Sequence, residues 1–161
     1  MSTHAQATTV RHEIVVDAPA ERAFRVFTEQ LDKIKPRDHN LLGAELETTV
    51  LEPHAGGRIY DRAVDGSECE WATVLAFEPP DRLVFSWNIS AQWQIEPDTG
   101  RRSEVEVSFA PEGPDRTRVA IEHRHLDRHG DGWESLRPAL DGDQGWPLYL
   151  GRYAELVPAA A

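Results

Sequence analysis

From residue 44 to residue 125 the chain repeats one arrangement: a short segment rich in β-branched and aromatic residues, then a few residues that turn chains. The segments are 44–51 (AELETTVL), 58–64 (RIYDRAV), 69–78 (CEWATVLAFE), 82–89 (RLVFSWNI), 104–110 (EVEVSFA) and 116–125 (RTRVAIEHRH). PHAGG, DGS, EPPD, a longer polar stretch ending in EPDTGRR, and PEGPD join them. Links so rich in Gly, Pro and Asp are hairpin connections. A parallel pair needs a crossover of about a dozen residues or more, so these strands must be mostly antiparallel. Upstream, VRHEIVV at 10–16 sets Val10, His12, Ile14 and Val16 on one face and adds another strand.

Helical spacing occurs on either side of this sheet. APAERAFRVF brings Ala23, Phe24 and Phe27 to one face behind Pro19, and TEQLDKIKPRDHN continues as a second short helix stopped near Pro36. The stop follows because the residue before a proline is pushed out of the helical region. WESLRPAL predicts a short helix broken near Pro138, and WPLYLGRYAELV places Trp146, Leu150, Tyr153 and Leu156 or Val157 at helical steps. That apolar stripe needs a partner, and the packed face of the sheet is the obvious one. The 161 residues fit one α+β domain, and chains near that size bury about 68–70% of their unfolded surface.

Strand alternation assigns the packed face. Trp71, Thr73, Leu75 and Phe77 share one side, as do Leu83, Phe85, Trp87 and Ile89, and Val105, Val107 and Phe109. On the last strand Val119 and Ile121 lead to His123 and then His125, while Arg118, Glu122 and Arg124 face the other way. His129, in DRHGDGW, belongs to a turn before the late helices, with Asp131 as a cap and Trp133 as an anchor. Histidines two apart on a strand can also ligate zinc, with His129, His12 or Glu68 as a third ligand. Nothing in the spacing fixes that third ligand, so neither metal nor cofactor is expected.

Charge excludes further classes. Acidic residues number 28 against 17 basic ones, a formal net charge of −11, which repels phosphate backbones and anionic lipid. No apolar run approaches the roughly 20 residues of a membrane span, so neither nucleic acid nor membrane is an expected partner. The start, MSTHAQATTVRHE, lacks a secretory pattern, and the single cysteine, Cys69, suits a reducing compartment. A cytoplasmic location is therefore expected. Glu68 and Glu70 flank Cys69 and disfavour its thiolate, which reads it as structural.

The strand ending in DAPAERAF, then EPHAGGRIYDR, WATVLAFEPPDRLVFSW, EVEVSFAPEGPDRTRVAIEHR and a late GW before the terminal helix together resemble the START-like, helix-grip superfamily (SRPBCC). Within it they are similar to the branch of the C-terminal domain of the activator of heat shock protein 90 ATPase. The resemblance covers roughly residues 10–157 and rests on the order of these segments, not on one motif. It implies a curved antiparallel sheet of six or seven strands gripping a long C-terminal helix, two small helices after the first strand, and a cavity between helix and sheet. Many relatives carry a tryptophan pair where this chain has Ile34 and Lys35, which implies a less aromatic cavity mouth. The polar segment WNISAQWQIEPDTGRR, with Trp93 inside it, reads as a lid or as a surface hairpin.

Tyr60, Trp71, Phe85, Trp87, Phe109, His123, Trp146, Tyr149 and Tyr153 are the candidates to line the cavity, against the alternative that the aromatics fill the core. The favoured function is a domain that holds a small apolar or amphipathic molecule. The runner-up is an enzyme of the same fold, a cyclase, hydratase or hydrolase, with His123 as the catalytic candidate and Asp61 or Glu70 near it. What separates the two is a titratable group in the cavity with an orienting partner. A stress-related co-chaperone role, implied by the branch name, depends in eukaryotes on an additional N-terminal domain. About ten residues ahead of the first strand do not supply one. A homodimer through a strand edge is the expected form of self-association, against edges whose charges discourage pairing.

Overall fold

The computed structural model describes residues 8–158. Its elements are β1 (Val10–Val16), α1 (Ala20–Glu29), α2 (Leu31–Ile34), β2 (Leu46–Leu51), β3 (Arg58–Ala63), β4 (Glu68–Glu78), β5 (Arg82–Trp87), β6 (Ser103–Gly113), β7 (Arg116–Arg124), α3 (Leu136–Asp141) and α4 (Trp146–Leu156). The strands form one sheet in the order β1-β7-β6-β5-β4-β3-β2, and every neighbouring pair is antiparallel. The short links allow nothing else. The sheet is curled into a half-barrel around the C-terminal helix.

Two irregularities correct the expected strand faces. The register shifts between Ile59 and Tyr60 where β3 meets β4, and between Val74 and Ala76 where β4 meets β5. An extra residue reverses the alternation beyond it. Ala72 and Val74 therefore join Trp71 in the core, Leu75 is 46% exposed, and Thr73 pairs with Ser86 on the opposite side. There the Asn88 amide donates to Thr73, and Ser86 Oγ donates to Asn88. The chain near Pro138 also differs from expectation, because α3 runs through it. Pro138 falls in the first turn, where its missing N–H has no helical acceptor to lose.

The interior has two halves. In one, α1 lays Phe24 and Phe27 on Phe109 of β6, with edge-to-face ring centroids 5.2 and 6.0 Å apart. Tyr153 of α4 packs on Phe27 and donates its hydroxyl to the carbonyl of Ala23 at 2.8 Å. This half is solid. Arg152, one residue before, donates to the carbonyls of Lys33 and Ile34 at the end of α2. It satisfies acceptors that a helix end leaves open and fixes the start of the loop that follows. The other half, under β3–β5 and the first turn of α4, is not filled.

Candidate functional site

A cavity of about 420 Å³ occupies that second half. Trp71 of β4, Trp87 of β5 and Trp146 and Tyr149 of α4 are among its walls, with Leu41 and Trp93 as half-exposed apolar side chains. The indoles interlock edge to face: Trp71 with Trp87 at 5.9 Å, Trp87 with Trp146 at 5.8 Å, and Trp146 with Tyr149 at 5.2 Å. Such contacts orient rings as well as excluding water. Four of the nine residues expected to line a cavity thus do so.

The other five lie elsewhere. Tyr60 is on the opposite face of β3, its ring between Arg58 and Arg62, because Ile59, Asp61 and Ala63 take the inward positions. Phe85, Phe109 and Tyr153 are packed core residues outside the cavity lining. His123 is fully buried behind the tryptophans, its ring 5.2 Å from Trp87 and 5.8 Å from Trp146.

His123 sits in a hydrogen-bond chain that sets its tautomer. The Trp146 indole N–H can only donate, and it donates to His123 Nδ1 at 3.1 Å. The His123 proton is then on Nε2, which donates to Ser103 Oγ at 2.7 Å, and the hydroxyl donates to His129 Nε2 at 2.7 Å. His129 keeps its proton on Nδ1, which has no partner among the described residues. Burial pushes His123 down to about 3 and lowers His129 as well. His123 stays neutral with both nitrogens engaged, so it positions Trp146 instead of moving protons. His129, expected in a surface turn, is buried and shares Ser103 with His123. His125 takes a left-handed conformation that ends β7. Among the described residues no three His, Cys, Asp or Glu groups converge as a metal site.

The polar chemistry of the cavity comes from residues whose pattern in the sequence did not point to it. Lys35, first residue after α2, carries a buried ammonium 3.0 Å from Asp61 Oδ2. It also donates to the carbonyl of His39 and lies 5.5 Å from the Trp71 ring centroid. Asp61 Oδ1 accepts from Thr49 Oγ1 at 2.6 Å and from the Trp71 indole at 3.3 Å. Burial lowers the Lys35 pKa more than Asp61 raises it. His39 Nδ1 is 3.2 Å from the Tyr149 hydroxyl. Burial lowers the His39 pKa and raises that of Tyr149. The imidazole is therefore neutral and the phenol protonated near neutral pH. Cys69, read as structural, also lines the cavity, its thiol pushed up by burial.

A curled seven-stranded antiparallel sheet around a C-terminal helix, with two helices after the first strand and a cavity between, defines a helix-grip protein of the START-like superfamily. The sequence model of the Activator of Hsp90 ATPase homolog 1-like protein family matches residues 17–157, and the chain belongs to that family. Among solved structures, the anthrahydroquino-gama-pyrone synthase Txn09, complexed with SUM, is 41% identical with a TM-score of 0.64, over 92% of this chain and 96% of that one. CalC from Micromonospora echinospora, a self-sacrificing resistance protein, is 29% identical with a TM-score of 0.69, over 95% and 96%. Protein NE0264 from Nitrosomonas europaea shares the fold at 15% identity, with a TM-score of 0.68 over 97% of each chain. No curated protein matches the chain. No helix among the described residues is long and apolar enough to cross a membrane.

Proposed function

We propose that the protein is an acid–base cyclase that closes an oxygen heterocycle on a polycyclic phenol bearing a 1,3-dicarbonyl side chain. The observation that carries this reading is the Lys35–Asp61 pair, joined through His39 to Tyr149, inside a cavity walled by four indoles. Apolar walls suit a planar aromatic body, and titratable groups with orienting partners suit proton transfer. The 41% identical relative named as a pyrone synthase supports the same class of substrate. A fused γ-pyrone forms when a phenolic oxygen adds to the far ketone and the resulting hemiketal loses water. Neutral His39 accepts the phenolic proton. The Lys35 ammonium gives a proton to the ketone oxygen as charge develops. In the dehydration its amine takes back the proton lost from the central carbon, while Tyr149, reprotonated by His39, gives a proton to the departing hydroxyl, which leaves as water.

The test is incubation with an ortho-hydroxyaryl 1,3-diketone built on naphthalene or anthracene, following the pyrone by absorbance and mass. Expected is enzyme-dependent ring closure that falls about 100-fold or more in His39→Ala. Saturable quenching of tryptophan fluorescence with no product would replace catalysis by binding.

A further inference from the structure

Lys35 has an alternative use that the cyclase reading does not require. The chain contains fifteen arginines and only two lysines. Among the described residues, the ion pairs that a lysine or arginine makes on the sheet, apart from Lys35–Asp61, all use arginine, as in Arg118–Glu13 and Arg124–Glu106. A buried structural partner for Asp61 would be better served by arginine, whose planar fork meets a carboxylate in two places and never loses its charge. What lysine offers in its place is an amine that can be unmasked.

The hydrogen bonds around Lys35 accommodate both the ammonium, which the cyclase reading uses, and the amine left when it gives up a proton. Its two acceptors among the described residues are Asp61 Oδ2 and the carbonyl of His39. An ammonium has three N–H bonds and leaves one over, whereas a neutral amine has two and engages both. The fourth tetrahedral direction then holds the lone pair. The residue lines a largely apolar cavity, with Trp71, Trp87 and Tyr149 among the other walls, and burial there lowers the pKa of its amine against the opposing pull of Asp61. The groups facing it from the neighbouring elements are Asp61 of β3, Cys69 of β4, Asp38 and His39 of the loop, and Tyr149 of α4.

We infer that Lys35 is a nucleophile that condenses with 1,3-dicarbonyl compounds held in the cavity. The inference rests on the proposed function for the class of substrate alone. The amine lone pair forms a C–N bond to one carbonyl carbon while the C=O π pair moves to oxygen, which takes a proton from nitrogen. The carbinolamine hydroxyl is protonated and leaves as water, giving an iminium. Loss of a proton from the central carbon then yields an enaminone, so that amine plus diketone gives enaminone plus water. On a substrate with an ortho hydroxyl, the phenolic oxygen adds to the same carbon and the lysine amine departs, which closes the ring and frees the enzyme.

The test uses 1-phenylbutane-1,3-dione, which has no ortho hydroxyl and cannot cyclise, with the intact protein at neutral pH. Desalted protein should gain one adduct per chain, with the mass of the probe less one water. Peptide mapping should place it on Lys35, formed at least about tenfold faster than at Lys33 or the N-terminal amine. Lys33→Arg should keep the adduct. Lys35→Met should lose it, and mapping on the unaltered protein gives the answer even where that variant folds poorly. Absence of an adduct, or an adduct confined to Lys33 and the N-terminus, overturns the inference. Ring closure of the ortho-hydroxy substrate without any Lys35 adduct would overturn it too, while leaving the cyclase standing. An adduct on Lys35 without ring closure upholds the nucleophile and removes the cyclase.

Discussion

Lys35 and Asp61 are 4% and 1% exposed, and at that depth each charge depends on the other. Deleting one member of a buried pair leaves an uncompensated charge and costs about 3–5 kcal/mol, whereas replacing both with apolar groups is often neutral. Lys35→Met should therefore lower stability by about that amount, although Thr49 and Trp71 still donate to the stranded carboxylate. Lys35→Met combined with Asp61→Leu should recover most of the loss. Urea unfolding of the three proteins measures this, and a single variant with an unchanged midpoint would mean that water reaches the pair. The same residues mark a limit of sequence reading. Strand alternation places Asp61 inward, but an acidic residue inside a sheet has no visible reason until its cation is known. That cation sits on a loop, where no periodicity assigns direction. The one available hint was a lysine just before Pro36, in a chain that otherwise uses arginine.

The elements were easier to read than the faces. Hairpin links too short for crossovers dictated an antiparallel meander, and β1, α1 and α4 follow period two or period 3.6 closely enough to be seen directly. The bulges in β4 were not visible, because an inserted residue leaves composition unchanged while turning Leu75 outward and Val74 inward. The wall of the cavity depends on the start of α4, and that start depends on Gly145. A Cβ there would collide with the backbone carbonyl of Leu140 and lie 2.5 Å from that of Ala139. Gly145→Ala should push the first turn of α4, and Trp146 with it, away from α3. The expected cost is about 1–3 kcal/mol, together with weaker ligand-induced quenching of tryptophan fluorescence. The loop after β5 has a separate signature. Trp93 is 47% exposed and adopts a left-handed backbone at φ 60°, in a turn held by Ser90. That conformation costs a non-glycine residue about 1–2 kcal/mol. Trp93→Gly should therefore raise the melting temperature while reducing affinity for an aromatic ligand. Unchanged affinity would make the indole a surface ornament and not part of the mouth.

Across the whole molecule, three histidines, two buried and one half-buried, share one electrostatic condition, and it governs stability toward acid. His123, His129 and His39 all have pKa values lowered by burial, His123 to about 3. The native state therefore declines protons that the unfolded chain accepts once the pH drops below about 6.5. Stability rises with pH wherever the unfolded state binds more protons, so here it is lost on acidification from neutrality toward about pH 3. His123 alone accounts for roughly 2 kcal/mol between about pH 7 and pH 5. Glu106, held low by Arg124 and Arg82 despite partial burial, adds a further loss at lower pH as its carboxylate is protonated. His123→Gln isolates the first contribution. An amide can accept from Trp146 and donate to Ser103 in place of the imidazole, yet it has no proton to gain. Urea midpoints measured from pH 7 down to pH 5 should fall steeply for the parent protein and less steeply for the variant. Parallel slopes would place the acid sensitivity elsewhere, in His129 or the carboxylates. A variant with a flatter slope and unaltered ring closure would establish His123 as a support for the tryptophan wall, with proton transfer left to His39 and Tyr149.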